Sequence, residues 1–225
     1  MRQFKPVRKI GFSHRSITGI HPTFKNEDSS QFESSLESDF ITILNFDFCV
    51  QEFIEQPLVI NFKDENGARR IYTPDFLVKY KKGFCVNQQP TIFEVKYRKD
   101  LFKDWKILKP KFKAAISYAS ENNMKFKIIT EKEIRTAFLF NAKFLWKYKH
   151  EANNTLANLE FELIVLTQLQ QLVMTTPNEL ILSAAKSKHM QGQLLHTLWK
   201  LVAKGSIGCD LNSKLNMNTE IWHIE

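Results

Sequence analysis

The sequence predicts an α/β fold, a mixed sheet flanked by helices, followed by a small winged-helix-like C-terminal domain. Three observations carry this. Short β-branched and aromatic runs alternate with segments of helical apolar spacing over residues 29–150. An Asn-Gly turn signal joins two of those runs. Residues 151–225 then offer three helix patterns and two strand-like runs around a polar loop.

Residues 1–28 read as a basic arm. Arg2, Lys5, Arg8, Lys9 and Arg15 precede the first acid, Glu27, and the Pro, Gly and Ser content favours extended chain. Such an arm fits DNA, a partner surface or a solubilising tail equally well. Ser30 with Glu33 makes a capping box, and Phe32, Leu36, Phe40 and Ile43 form an apolar stripe for a helix to about residue 45. Glu33 and Glu37 lie four apart, an unfavourable like-charge spacing unless one serves another purpose. With Glu33 as the cap, Glu37 is the better ligand candidate.

Residues 59–62 read as a strand, Asp64-Glu65-Asn66-Gly67 as a turn and residues 69–72 as the returning strand. Asp75 begins the next strand, and after a polar loop comes the strand bearing Glu94 and Lys96. A helix broken at Pro110, a second over residues 111–121, a strand at 125–129 and a helix capped by Thr130 and Glu133 complete the first domain.

The second domain begins near residue 151. Residues 156–173 have helical spacing, and Thr176-Pro177-Asn178-Glu179 starts another helix with Pro at its first position. His189-Met190-Gln191-Gly192 reads as a turn before a third helix over 193–204, its Leu194, Leu195, Leu198, Leu201 and Val202 inward and Gly205 ending it. That helix offers only Gln191, Gln193, His196, Lys200 and Lys204 as polar reach, so protein docking and DNA recognition fit it equally. His196 reads as a partly buried histidine, Trp199 and Trp222 as core.

The 225 residues are 43% hydrophobic and 25% charged, enough for one sizeable core and a smaller one. A net charge of +8 favours a polyanionic partner. Cys49, Cys85 and Cys209 are far apart without paired spacing, which points to neither a disulfide framework nor a zinc site. No run approaches the roughly 20 apolar residues of a membrane span. The expected location is the bacterial cytoplasm, on the nucleoid when active, with no membrane partner.

Asp75, within Tyr72-Thr73-Pro74-Asp75-Phe76, and the pair Glu94 and Lys96 around Val95 carry the chemistry. Residues two apart in a strand share a face, so Glu94 and Lys96 point the same way. Two acids and an amine suit phosphodiester hydrolysis: carboxylate oxygens hold Mg²⁺ or Mn²⁺, and the amine offsets charge near the phosphate. A solvated pair on an edge strand would look the same. Buried-strand flanks, the preceding carboxylate helix and a basic segment behind the motif favour the nuclease reading. Residues 96–113 hold eight Lys and Arg, among them Arg98, Lys99, Lys103 and Lys106, against Asp100 and Asp104. Phe102, Trp105, Leu108 and Phe112 interleave at helical spacing and read as core anchors, with the lysines facing phosphate.

Phe32-Glu33-Ser34-Ser35-Leu36-Glu37-Ser38-Asp39-Phe40, Glu55-Gln56-Pro57, the Tyr72 to Val78 run, Phe93-Glu94-Val95-Lys96-Tyr97, Trp105 and Thr130-Glu131-Lys132-Glu133-Ile134-Arg135 together resemble TnsA, the endonuclease subunit of heteromeric cut-and-paste transposases. The resemblance spans most of residues 30–140. It implies a restriction-endonuclease-like fold of the PD-(D/E)xK type, with Glu37, Asp75 and Glu94, together with Val95, holding up to two Mg²⁺, replaceable by Mn²⁺, and Lys96 as the catalytic lysine. It implies double-stranded transposon ends as substrate, hydrolysed at the 5′ ends of the non-transferred strands. The implied partners are a TnsB-type transposase and a TnsC-type ATPase. A stand-alone restriction or repair nuclease and a non-catalytic DNA-binding adaptor are the alternatives.

Overall fold

A computed structural model describes residues 18–23, 25–26, 29–83, 89–149 and 156–224, with side chains described from residue 158 in the last stretch. The chain divides into two compact units, residues 1–135 and 136–225.

The first unit runs β1 (Gly19–His21), β2 (Ser30–Phe32), α1 (Ser35–Phe46), β3 (Val50–Glu55), β4 (Ile60–Lys63), β5 (Arg69–Tyr72), β6 (Phe76–Tyr80), β7 (Thr91–Val95), α2 (Arg98–Glu121), β8 (Lys125–Ile129) and α3 (Glu131–Ile134). Its main sheet has the order β3-β6-β7-β8. The first two pairings are antiparallel and β7 runs parallel to β8, so the sheet is mixed. Strand alternation sorts the core into two layers. On one face Phe40 of α1 meets Phe76 and Phe93 at ring distances of 5.4 and 5.1 Å. On the other, Leu77 and Ile92 pack with Ala115 and Ala119 of α2 and with Leu58, Ile60 and Tyr72. Burying both faces makes β6 and β7 almost continuously apolar.

Several expectations hold, among them the β4–β5 hairpin, the strand at 125–129 and the Thr130 to Glu133 capping box. Others are corrected. Residues 30–32 form β2 rather than opening a helix, and the cap of α1 is Ser34, which accepts from the Glu37 N–H. Part of the expected basic arm is β1, paired with β2; most of the remaining arm lies outside the described residues. Strand β3 was not anticipated, because Gln51 and Glu52 interrupt its apolar pattern. Pro110 does not break α2. It removes one N–H, but buried Leu108 and Phe112 on either side hold both halves against one core. Cys49 carries a disulfide bond, against the expectation of unpaired thiols; Cys209 is free.

The second unit comprises α4 (Ala137–Lys149), α5 (Leu156–Leu172), β9 (Met174–Thr175), α6 (Pro177–Ala184), α7 (Lys188–Lys204), β10 (Ile207–Cys209) and β11 (Ile221–His223). The domain boundary therefore falls at 135/136 and not at 150/151, because α4 packs on α7. Phe144 of α4 meets Trp199 of α7 edge-on at 5.4 Å. The strands form a sheet of order β10-β11-β9. The expected turn at 189–192 is the first part of α7, which Ser187 caps by accepting from the Met190 N–H. Gly205 ends α7 in the left-handed region at φ 78°. No helix among the described residues is long and apolar enough to cross a membrane.

Candidate active site

Asp75 stands between Pro74, which restricts Thr73 to extended backbone, and the first residue of β6. Its Oδ2 accepts from the Val95 N–H at 2.7 Å, tying the start of β6 to the end of β7. Its main-chain oxygen accepts from the Gln56 N–H at 2.8 Å. Gln56 adopts φ 44°, a left-handed conformation that costs a non-glycine residue about 1–2 kcal/mol. The Glu55-Gln56-Pro57 segment thus spends conformational energy where it holds Asp75 in place.

Glu94 lies on the α2 side of β7 with its side chain 2% exposed. Tyr72 donates its hydroxyl to Oε2 at 2.6 Å, and Lys111 donates to Oε1 at 2.9 Å. The Lys96 Nζ stands 3.7 Å from the same Oε1, which bears out the shared face expected for residues 94 and 96. Glu37 is the third residue of α1: Oε2 accepts from the Glu33 N–H at 2.8 Å and Oε1 from the Ser34 hydroxyl at 2.9 Å. The cap contacts expected of Glu33 are made by Glu37 instead.

One field joins these groups. Burial, then the charges of Glu94 and Glu37, push the Asp75 carboxyl well above the usual carboxylate range, against Lys96 and the Val95 N–H. Burial also raises Glu37, opposed by the Glu33 N–H and the Ser34 hydroxyl. For Lys96, burial works against the ammonium, but Glu94, Asp75 and Glu37 outweigh it and hold the lysine protonated more firmly than usual. Burial and the adjoining Glu94 charge likewise raise the Tyr72 phenol, keeping it a donor.

The structure thus brings Glu37, Asp75, Glu94 and Lys96 into mutual interaction. Val95 enters through the N–H that it gives to Asp75. The donor chemistry, all carboxylate oxygen around a partly buried acid excess, suits a hard divalent cation. Among the described residues no three acidic, histidine or cysteine side chains are grouped closely enough to hold an ion, and hydrogen bonds engage the carboxylates of Glu94 and Glu37. Sequence reasoning missed Tyr72 and Lys111 as site residues. Tyr72 stands in the Tyr-Thr-Pro-Asp run and Lys111 in the basic run, but only folding carries both to Glu94.

Arg98, Lys99, Lys103 and Lys106 are all exposed on α2, which begins two residues after Lys96. The aromatic expectation is corrected in part. Leu108 and Phe112 are core, whereas Phe102 and Trp105 are 80% and 46% exposed. In the second unit Trp199 is core, but His196 is exposed, its ring 5.2 Å from that of Tyr148. Lys200, counted for polar reach, is buried beside Glu162 at 3.5 Å.

Residues 47–131 match the family model of the TnsA-like endonuclease N-terminal domain, so the resemblance read from the sequence holds. The matched segment includes Asp75, Glu94 and Lys96, and leaves Glu37 and the second unit outside. No curated protein matches the chain.

Proposed function

Starting from a TnsA-like endonuclease domain in residues 47–131, we propose that this chain is the metal-dependent endonuclease subunit of a transposase, hydrolysing the 5′ ends of the non-transferred strands at transposon ends. The observation that carries the reading is the convergence of Asp75, Glu94, Lys96 and Glu37 on one electrostatic centre within a mixed sheet flanked by helices. That architecture supports the restriction-endonuclease-like reading of the first unit.

Asp75, Glu94 and Glu37 would hold up to two divalent cations, with Val95 beside them. When bound, Mg²⁺ or Mn²⁺ supplies a lowered pKa for the attacking water and neutralises the leaving oxygen. The protein groups do the rest. Lys96, kept cationic by its three acidic neighbours, offsets charge developing on the phosphate. Tyr72 and Lys111 orient the Glu94 carboxylate through hydrogen bonds to Oε2 and Oε1. The exposed Arg98, Lys99, Lys103 and Lys106 bind the DNA backbone next to the cut.

The second unit reads as a winged helix, supported by helices α5, α6 and α7 around a three-stranded antiparallel sheet. With Lys200 buried and the Gln191 amide given to the Ala185 carbonyl, α7 has little left for base edges. Docking to a TnsB-type transposase or a TnsC-type ATPase is the role we assign to this unit.

The test is strand-resolved cleavage of a labelled transposon-end duplex with Mg²⁺, using the protein alone, with both partner types, and with Lys96→Ala. Partner-dependent 5′ nicking that the variant loses is the expected result. Cutting by the isolated protein would instead make it a free-standing nuclease, and no cutting under any condition would make it an adaptor.

A further inference from the structure

One face of α2 carries two exposed aromatic side chains to which the proposed hydrolysis gives no role, set among cations. Arg98, Phe102, Trp105, Lys109 and Lys113 follow at intervals of three and four, which places them on a common face. Lys99 and Lys106 flank this row, and all five cations are exposed. Asp100 and Asp104 fall on the opposite side of the helix with Lys111, so no acid of α2 interrupts the row. A groove of about 540 Å³ runs beside the rings, with Leu101 and Ile128 in its wall. Glu133 also lines it, but Thr130 engages that carboxylate through its N–H at 2.9 Å and its hydroxyl at 2.6 Å.

We propose that this face of α2 binds an unpaired segment of the DNA substrate, with Phe102 and Trp105 stacking on its bases while the flanking cations hold its phosphates. The rings select the partner. Within a duplex the base faces are covered by their neighbours, so an exposed phenyl and indole gain base stacking only from nucleotides out of the helix. Three cations in the row and two beside it, with no acid of α2 among them, favour a polyanion over a protein segment. The row extends about 22 Å along the helix, on the side opposite Lys111, the α2 residue that reaches Glu94. This inference rests on the nuclease reading for its substrate, while its binding step is measurable without catalysis.

The experiment is fluorescence anisotropy with the full-length protein and no divalent cation. It compares a labelled blunt duplex with the same duplex carrying a single-stranded tail of about ten nucleotides, within the site sizes of single-strand binders. The tailed DNA is expected to bind at least tenfold more tightly. Phe102→Ala/Trp105→Ala should erase that difference and leave blunt-duplex affinity in place. Phe102→Ala alone, at a position 80% exposed and outside the core, should erase most of it with an unchanged melting temperature. Equal affinity for the two DNAs in the unmodified protein, the result if the rings serve a protein partner, would overturn the proposal. So would a tail preference that survives in both variants. Failure of the nuclease reading is a separate observation, the absence of Mg²⁺-dependent nicking whatever the binding preference.

Discussion

The Tyr72 hydroxyl donates to Oε2 of Glu94 over 2.6 Å, joining the β4–β5 hairpin to the most enclosed acid of the site. A hydrogen bond to a buried charge contributes roughly 1.5–3 kcal/mol. Tyr72→Phe should therefore lower unfolding stability by about that amount in a urea titration. Lys111→Ala should cost at least as much, because it removes the nearest cation and leaves Glu94 with Lys96 at 3.7 Å. No loss in either variant would mean that Glu94 is free to turn without this network.

Asp75 leads to a prediction with a definite sign. Its carboxyl is raised in the folded state, so the fold binds a proton there more strongly than the unfolded chain does. Stability from this group is fully present below the unfolded carboxylate pKa and is lost as pH rises through the raised folded value. At neutral pH without divalent cations, Asp75→Asn should melt at a higher temperature than the unmodified protein. Adding Mg²⁺ should raise the melting point of the unmodified protein alone, since only that form gains a cation ligand. Equal Mg²⁺ stabilisation of both would remove Asp75 from the metal site.

Lys200 and Glu162 form a buried pair at 3.5 Å, and Glu162 Oε1 has no hydrogen-bond partner among the described residues. Lys200→Ala should destabilise the second unit by about 3–5 kcal/mol by stranding the acid. Lys200→Met/Glu162→Leu should recover all of it, measured by chemical denaturation. Direct DNA contact by Lys200 would instead appear as weakened binding in the double variant at full stability.

Gly208 faces Trp222 across the β10–β11 pair, and a Cβ on it would come within 2.2 Å of the indole Nε1. Gly208→Ala should cost roughly 1–3 kcal/mol as the ring is forced off its strand. Near-ultraviolet circular dichroism should report the displaced tryptophan, with cleavage chemistry in the first unit as the control.

The sequence by itself determined the elements whose signals are local. The Asn66-Gly67 hairpin, the Thr130 and Thr176 caps and the apolar runs of β6 and β7 depend on neighbours within a few residues. Asp75, Glu94 and Lys96 could be named because their spacing along two strands already implies a common face. Tertiary structure decided what depends on residues far apart in the chain. Both Ser30 and Ser34 stand three before a glutamate, and pairing of residues 30–32 with β1 removed the first from the helix. Pro110 stays within α2 because core burial on both sides outweighs one lost hydrogen bond. The exposure of Phe102 and Trp105 beside buried Leu108 and Phe112 was equally illegible: helical spacing gives a face its angle, but only the packed sheet shows where that face stops being covered. The Glu94 network has the same origin, since Tyr72 and Lys111 are 22 and 17 residues away and meet it only when α2 and the hairpin close over the sheet.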